Sequence, residues 1–239
     1  MSVSDKPAAI PVPAQRFAQL RWRALINRHP SAILLVVQLI GLLLYPFIED
    51  TSFGKETFSA SSVLVLCLAI WMVHRTPGRA WISAGIALAA IVLNVLKVEL
   101  ALPALLPWEA ALQAFFYFYA AACLIAYALA DRRATSDELF AAGAIFTLLA
   151  WAFAYVFVCC QALQPGCFAA AVNPDQPRAW TELLFLSFAL LSSTGIGDVI
   201  PITIHARSLA SLEMFVGVMY VTLVVARLIG LTLMPRDSR

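Results

Sequence analysis

The fold is decided by the stretch Thr181–Ser192, TELLFLSFALLS, which runs directly into Ser193–Pro201, STGIGDVIP. Its apolar run, Leu183–Leu191, is about half as long as the ~18 residues that mark a membrane-spanning helix. As a helix, Thr181–Ser192 extends about 18 Å at roughly 1.5 Å per residue, which is shorter than a bilayer is thick. We therefore predict a re-entrant helix that enters from one face and returns to that face through Ser193–Pro201. Thr181 is its predicted N-cap, and Glu182 favours the first turn.

The composition places this stretch in a membrane protein. Of the 239 residues, 62% are hydrophobic and 13% charged, whereas ordinary globular domains have about 45–50% and 25%. The net charge of +2 is too small to indicate a nucleic-acid partner. The expected fold class is an all-α membrane protein with six transmembrane helices, the re-entrant segment lying between helices 5 and 6. The predicted spans are Ser31–Ile48, Phe58–Val73, Ala80–Val98, Trp108–Ala130, Leu139–Leu163 and Arg207–Met234.

The distribution of Lys and Arg predicts the orientation. If both termini lie inside, the inner segments hold eleven of these residues and the outer segments four, which follows the positive-inside rule. We expect a multi-pass protein of a bacterial inner (plasma) membrane with both termini cytoplasmic. The predicted parts are a cytoplasmic amino-terminal segment 1–30, a four-helix transmembrane domain 31–130, a cytoplasmic linker 131–138, a pore domain 139–234 and a short cytoplasmic tail 235–239.

The non-helical strip after the short helix is the candidate functional site. Irregular backbone at membrane depth is tolerated only where protein buries it or where it lines a water-filled cavity. Gly195 and Gly197 allow backbone conformations that other residues resist, so successive carbonyls can turn toward one axis. Rings of such carbonyls replace the water shell of a cation. The strip is therefore predicted to line a cation pathway.

The strip resembles the selectivity filter of a known family. FLSFALLSSTGIGDVIP, followed by RSLASLEMFVGVMYVTLVVARLIG, resembles the pore-loop and inner-helix module of the potassium channel family, where a pore helix runs into a TVGYGD-type filter. The resemblance implies a homotetramer that conducts potassium ions passively among membrane lipids, with no cofactor beyond the permeant ions. It places K+ on the carbonyls of Ser193, Thr194, Gly195 and Ile196. The six filter positions are Ser193, Thr194, Gly195, Ile196, Gly197 and Asp198.

Two substitutions leave the ion selectivity open. Thr194 stands where the family has valine, and Ile196 stands where the family has an aromatic ring that braces the filter from behind. Ser193 replaces the family's threonine and can still supply a hydroxyl oxygen. Alternatives to a potassium channel are a non-selective monovalent cation channel and a non-conducting, pore-like regulatory subunit.

The resemblance also assigns roles to two residues of the last helix. Gly217 lies 19 residues beyond Asp198, where the family often has a hinge glycine for gating. Glu213 occupies a position where an acid braces the pore helix. A voltage sensor needs several regularly spaced arginines in one helix. The fourth span, Trp108–Ala130, contains no Lys or Arg, so we predict a channel that is not voltage-gated.

We expect structural roles for the cysteines and for the remaining polar residues. Cys167 is open to a disulfide with Cys159 or Cys160 if that face is oxidising. We expect Gln38 to hydrogen-bond between helices and Arg227 to extend its side chain toward the cytoplasmic interface. The sequence has no spacing typical of a zinc site and no hydrolytic set of residues, so we predict that the chain is not an enzyme.

Overall fold

The fold was obtained as a computed structural model that describes residues 30–49, 103–130, 136–174 and 176–233. Between 85 and 96 it describes Gly85, Ile86, Leu88, Ala89, Val92, Leu93 and Leu96, all helical. Several predicted parts lie outside the described residues. They are the first 29 residues, the second span, most of the third span, most of the linker and the tail. Within those described, three helices are long and apolar enough to cross a membrane, namely Leu106–Leu129, Asp137–Leu163 and Ile204–Arg227. Six spans remain a prediction.

Besides the helical residues between 85 and 96, the described chain has five helices and two short strands. The helices are α1 (Pro30–Glu49), α2 (Leu106–Ala130, after a 3-10 turn at Pro103–Leu105), α3 (Ser136–Leu163), α4 (Trp180–Leu191) and α5 (Ile204–Leu233). The strands are β1 (Phe168–Ala170) and β2 (Val199–Pro201). The described chain is mostly helical, in line with the predicted class, and β1 and β2 add a short antiparallel ribbon in which Ala169 pairs with Ile200. The predicted helices begin one to three residues away from the observed starts.

Helix α3 is the centre of the packing. It contacts α1, α2, α4 and α5, and 72% of its most apolar stretch is buried, against 17% in α5. Small residues let the neighbouring helices approach. A Cβ added at Gly143 would lie 2.9 Å from the side chain of Leu35 in α1. Gln38 of α1 is fully buried, and its amide atoms have no hydrogen-bond partner among the described residues.

A carboxylate in the first turn of α3 holds the start of α1 and the end of α2. The Ser31 amide donates to Asp137 Oδ1 at 3.1 Å, and Ser31 Oγ donates to Oδ2 at 3.0 Å. Tyr127 Oη of α2 also reaches Oδ2, at 3.4 Å. Asp137 thereby supplies an acceptor and a negative charge to the N-terminus of α1, where amides lack helical partners.

Glu138, the next residue of α3, contacts Arg227 near the end of α5. Arg227 Nη2 donates to the Ala128 carbonyl of α2 at 2.5 Å and lies 3.4 Å from Glu138 Oε1. The Arg227 side chain is partly exposed and contacts the ends of two neighbouring helices; its expected extension toward the cytoplasmic interface stays a prediction. The ends of α1, α2 and α5 are thus all fixed to the first turn of α3.

This junction generates a stability prediction. Replacing Asp137 by alanine removes the acceptor of three hydrogen bonds, whereas Ser31→Ala removes one hydroxyl donor and keeps the backbone bond. We expect Asp137→Ala to lower the free energy of unfolding by about 1–3 kcal/mol and Ser31→Ala by about half that or less. Thermal unfolding in lipid nanodiscs measures both. Equal melting temperatures for the two variants would contradict the assignment of Asp137 as the shared acceptor.

Candidate functional site

The short helix α4 begins one residue earlier than predicted. Its N-cap is Ala179, not Thr181, because Glu182 Oε2 accepts a hydrogen bond from the Ala179 amide at 2.7 Å. A carboxylate in the first turn satisfies an amide that would otherwise have no partner. Glu182 therefore stabilises the first turn, as expected, by accepting a hydrogen bond from the Ala179 amide. The prediction of Thr181 as the N-cap was wrong.

The loop before α4 is organised by one buried arginine. The Arg178 side chain is only 2% exposed and lies 3.4 Å from Glu182 Oε1. Its guanidinium donates to the carbonyls of Val172 at 3.1 Å and Gln176 at 3.0 Å, and also to that of Asn173. A guanidinium is a rigid five-donor group, so it holds several loop carbonyls in one arrangement.

A glutamine fixes this loop to the central helix. Gln161 of α3 accepts from the Arg178 amide at 2.8 Å and donates to the Arg178 carbonyl at 2.9 Å. The reciprocal pair satisfies both backbone groups of the residue that precedes the N-cap. The start of α4 is therefore positioned by α3 as well as by its own loop.

Aromatic rings hold the same end of α4. The Trp180 ring centroid lies 6.0 Å from Trp151 and 5.8 Å from Tyr155, both in α3. Tyr117 of α2 packs at 5.6 Å on each of those two rings. Such pairs each contribute about 0.5–1.5 kcal/mol beyond the area that they bury. The cluster links α2, α3 and the first residue of α4.

A buried polar contact holds the middle of α4 between the two long helices. Ser187 and Glu213 are both fully buried. Ser187 Oγ lies 2.7 Å from the Ala150 carbonyl of α3 and is hydrogen-bonded to Glu213 Oε1 of α5. Among the described residues Glu213 Oε2 has no hydrogen-bond partner. Glu213 therefore lies against α4 and away from the strip 192–198.

The end of α4 leads into the strip through a helix-capping motif. The Ser193 amide donates to the Leu190 carbonyl at 3.0 Å, and the Thr194 amide donates to the Ala189 carbonyl at 3.0 Å. These are the two bonds of a Schellman motif, whose left-handed residue is usually glycine. Here that residue is Ser193, with φ of 59°. A side chain in this conformation costs about 1–2 kcal/mol.

The cap fixes the direction of the first carbonyls of the strip. The Gly195 amide also points back to Ala189, at 3.3 Å, so three successive amides face the end of α4. In a trans peptide the carbonyl of one residue points opposite to the amide of the next. The carbonyls of Ser192, Ser193 and Thr194 therefore point away from α4. Two of these three belong to the predicted ligand set.

The β ribbon fixes the other end of the strip. It pairs β1, which follows α3, with β2, which begins one residue after Asp198. The ribbon thus places the end of α3 and the start of α5 on one side. The seven residues 192–198 can extend about 24 Å at 3.3–3.6 Å each, enough to retrace the 12-residue helix. The chain therefore enters with α4 and returns beside it.

The strip lies on the outside of the single chain. All seven residues from Ser192 to Asp198 are exposed, and Ile196 is 57% exposed. Gly195 has φ of 70°, a conformation that side chains disfavour. Gly197 does not adopt this left-handed conformation. The structure thus brings the six predicted residues into one exposed, non-helical segment.

Gly217, the predicted hinge, lies in a close helix contact. A Cβ added at Gly217 would lie 2.1 Å from the Leu191 carbonyl oxygen at the end of α4. Helix α5 continues without interruption through this position. Only a residue without a side chain allows α5 to touch the last turn of α4. The glycine therefore has a packing role in this structure.

Sequence reasoning missed several residues that position the strip. Ser187, Gln161 and Arg178 were not assigned to the site, although Arg178 and Glu182 stand four residues apart, a spacing that favours a helical ion pair. Cys159, Cys160 and Cys167, the candidates for a disulfide, are free thiols in this structure. No cluster of His, Cys, Asp and Glu that fits a metal ion occurs within the described residues.

Residues 141–233 match a family model described as an ion channel. This segment is an ion channel domain. The match begins in α3 and ends with α5, and it confirms the resemblance to pore-loop cation channels over these residues. No curated protein and no solved structure matched the chain. With its apolar helices, the channel domain indicates a membrane protein.

The contact at Gly217 yields a prediction with a matched control. Gly217→Ala should disrupt the seating of α5 on α4, because the added methyl overlaps a backbone carbonyl that cannot rotate away. Gly230→Ala, in the same helix, meets nothing within 4 Å and should stabilise by up to about 1 kcal/mol through helix propensity. Thermal unfolding in nanodiscs compares the two. A hinge without close packing predicts the same melting temperature for both variants.

Proposed function

We propose that this channel domain forms a tetrameric potassium channel, in which ions move down their electrochemical gradient past Ser193–Ile196. The observation that carries the proposal is the orientation of the carbonyls of Ser192, Ser193 and Thr194, which point together away from α4. Oxygen atoms turned toward a common space replace the water around a cation. The C-terminal dipole of α4 adds a negative potential near Ser192.

A single chain cannot enclose an ion with one such strip. The strip is exposed, and only 17% of the most apolar stretch of α5 is buried within the chain. In hydrocarbon, the strip's carbonyls need partners, and further copies of the chain with their bound ions supply them. A closed cyclic arrangement of identical strips gives each ion a complete shell. We therefore propose a homotetramer.

Potassium selectivity depends on how firmly the strip is held. Ile196 provides no ring to brace the strip, and its exposed side chain contacts little of its own chain. This observation favours a second candidate function, a non-selective monovalent cation channel. Support for the potassium channel comes from the bonds that fix α4 at its start, middle and end.

We further propose that voltage is not the gating stimulus. Helix α2, Leu106–Ala130, has no Lys or Arg and one acid, Glu109. Moving an elementary charge through the membrane yields about 2.3 kcal/mol per 100 mV, so a helix without a basic ladder gains little from the field. The proposed orientation has both termini cytoplasmic, which puts the Arg227–Glu138 contact at the inner face and the β ribbon at the outer face.

The reversal potential tests selectivity directly. Purified protein in a planar bilayer, with potassium on one side and sodium on the other, should give a current that reverses near the potassium equilibrium potential. Strong current reversing near zero would instead establish the non-selective channel. Silence at all voltages, from protein shown to be tetrameric, would favour the non-conducting regulatory subunit.

The strip itself is tested by a pair of glycine substitutions. Gly195→Ala should abolish the current while the tetramer persists, because the methyl group disfavours the left-handed backbone by about 1–2 kcal/mol and displaces the carbonyls. Gly166 has φ of 78° and nothing within 4 Å of an added Cβ. Gly166→Ala therefore carries similar strain outside the strip and should retain the current. Undiminished current in Gly195→Ala would remove the strip from the ion pathway.

A further inference from the structure

Two of the cysteines that follow one another around the α3–β1 turn are in contact. Cys160 lies in the last turn of α3, and Cys167 immediately precedes β1. Both cysteines are buried in one apolar cluster, and each thiol interacts with the other. Phe157, Phe168 and Val199 belong to the same apolar cluster. The pair therefore lies where α3 meets the β ribbon.

The backbone holds the two cysteines together independently of the thiols. The Gln164 amide donates to the Cys160 carbonyl at 2.8 Å, and the Cys167 amide donates to the Gln164 carbonyl at 3.2 Å. Gly166 supplies the left-handed residue of the turn. The Ile202 amide then donates to the Cys167 carbonyl at 2.9 Å. These bonds fix both ends of the turn, so Cys160 and Cys167 are held near each other before any covalent link forms.

The side chain of the turn's central glutamine strengthens this arrangement. Gln164 Nε2 lies 3.0 Å from His205 Nδ1, and Gln164 Oε1 accepts from Thr203 Oγ1 at 3.4 Å. The turn is thereby attached to the start of α5 as well as to the ribbon. A disulfide requires two cysteines whose backbones already approach each other, and the bonds of this turn bring Cys160 and Cys167 together.

We propose that Cys160 and Cys167 form a disulfide in the mature protein, which fastens the outer end of α3 to the strand that supports the exit of the strip. The proposal rests on the proposed function for one element, the outer orientation of this turn, since disulfides persist in oxidising compartments such as the bacterial periplasm. It selects Cys160 over Cys159, which is half-buried and displaced by about 100° around the helix.

The chemistry requires an oxidant of the thiol–disulfide class. One cysteine thiolate attacks the disulfide of an oxidoreductase and releases one of its thiols; the second cysteine then attacks the mixed disulfide and releases the other. The Cys160–Cys167 bond forms, two thiol protons are lost from the chain, and the oxidant is reduced to a dithiol. Burial, together with the neighbouring Cys160, raises the pKa of the Cys167 thiol to about 12. The exchange therefore occurs while the loop folds, before the apolar cluster closes, and the finished bond is shielded from reductants.

The bond would support the strip through the ribbon. Cys167 adjoins Phe168, which pairs with Pro201, and Ala170 pairs with Val199 directly after Asp198. A covalent link at the base of β1 therefore limits the movement of β2 relative to α3. Through β1 and β2, the proposed disulfide would connect the outer end of the strip to α3.

Alkylation of the full-length protein tests the proposal without measuring current. Protein is prepared from membranes in a thiol-blocking reagent without reductant, denatured, and weighed intact before and after reduction and a second alkylation. We expect two cysteines to become available only after reduction. Cys159→Ser should keep this pair, whereas Cys160→Ser and Cys167→Ser should each leave no reducible pair. If all five cysteines of the wild-type protein are blocked before reduction, the proposal is overturned; protection that survives in Cys160→Ser also overturns it.

The two proposals fail separately in this design. A protected pair in a protein without current contradicts the proposed conduction and leaves the disulfide standing. Free thiols in a protein that conducts potassium contradict the disulfide alone. The wild-type chain shows whether a reducible pair exists, and peptide mapping of its alkylated cysteines identifies the pair even if a serine variant does not fold.

Discussion

The structure depends on one constraint, which is that hydrocarbon offers no hydrogen-bond partners to a polypeptide backbone. The long helices satisfy it internally, and the strip 192–198 does not. The amides of its first residues, Ser193 to Gly195, are bonded to the end of α4, and its far end continues into a strand of the ribbon. What remains unsatisfied within the strip is a row of carbonyls on the outside of the chain. The arrangement therefore turns the carbonyls at the start of the strip toward the outside of the chain, as acceptors for a cation in the proposed pore.

Supporting such a strip requires that α4 be held firmly at each of its turns. Rings fix its first residue, Ser187 fixes its middle between α3 and α5, and the absence of a side chain at Gly217 lets α5 reach its last carbonyls. The partners come mainly from α3, which explains why that helix is the most buried and the richest in small residues at its contacts. The Arg227 and Asp137 contacts repeat this arrangement at the other end of the bundle, again around α3.

The sequence predicted the parts that depend on composition and length. A half-length apolar run followed by STGIGD indicated the re-entrant helix and the strip, because those features are local. The N-cap was misplaced since it depends on the Glu182 side chain reaching back to Ala179, a contact prepared by Arg178. The strands were missed because three residues carry no readable periodicity. The packing role of Gly217 was also inaccessible, since a sequence does not tell which face of a helix touches a neighbour.

Ile196 lacks the aromatic ring that braces the filter in the related family, and in this structure other rings brace the helix before the strip. In the family that the strip resembles, a ring within the filter braces it from behind. Here rings lie behind the helix that leads into the strip, with Phe146 of α3 at 6.1 Å from Phe188 and 6.2 Å from Tyr220. Tyr220 is itself anchored by its hydroxyl to the Ala142 carbonyl at 2.6 Å. If the rings behind α4 and the β ribbon hold the two ends of the strip rigid, Ile196 does not need to brace it. Selectivity would then depend on how little the capped carbonyls of Ser193 and Thr194 move, because these lie closest to the braced helix end.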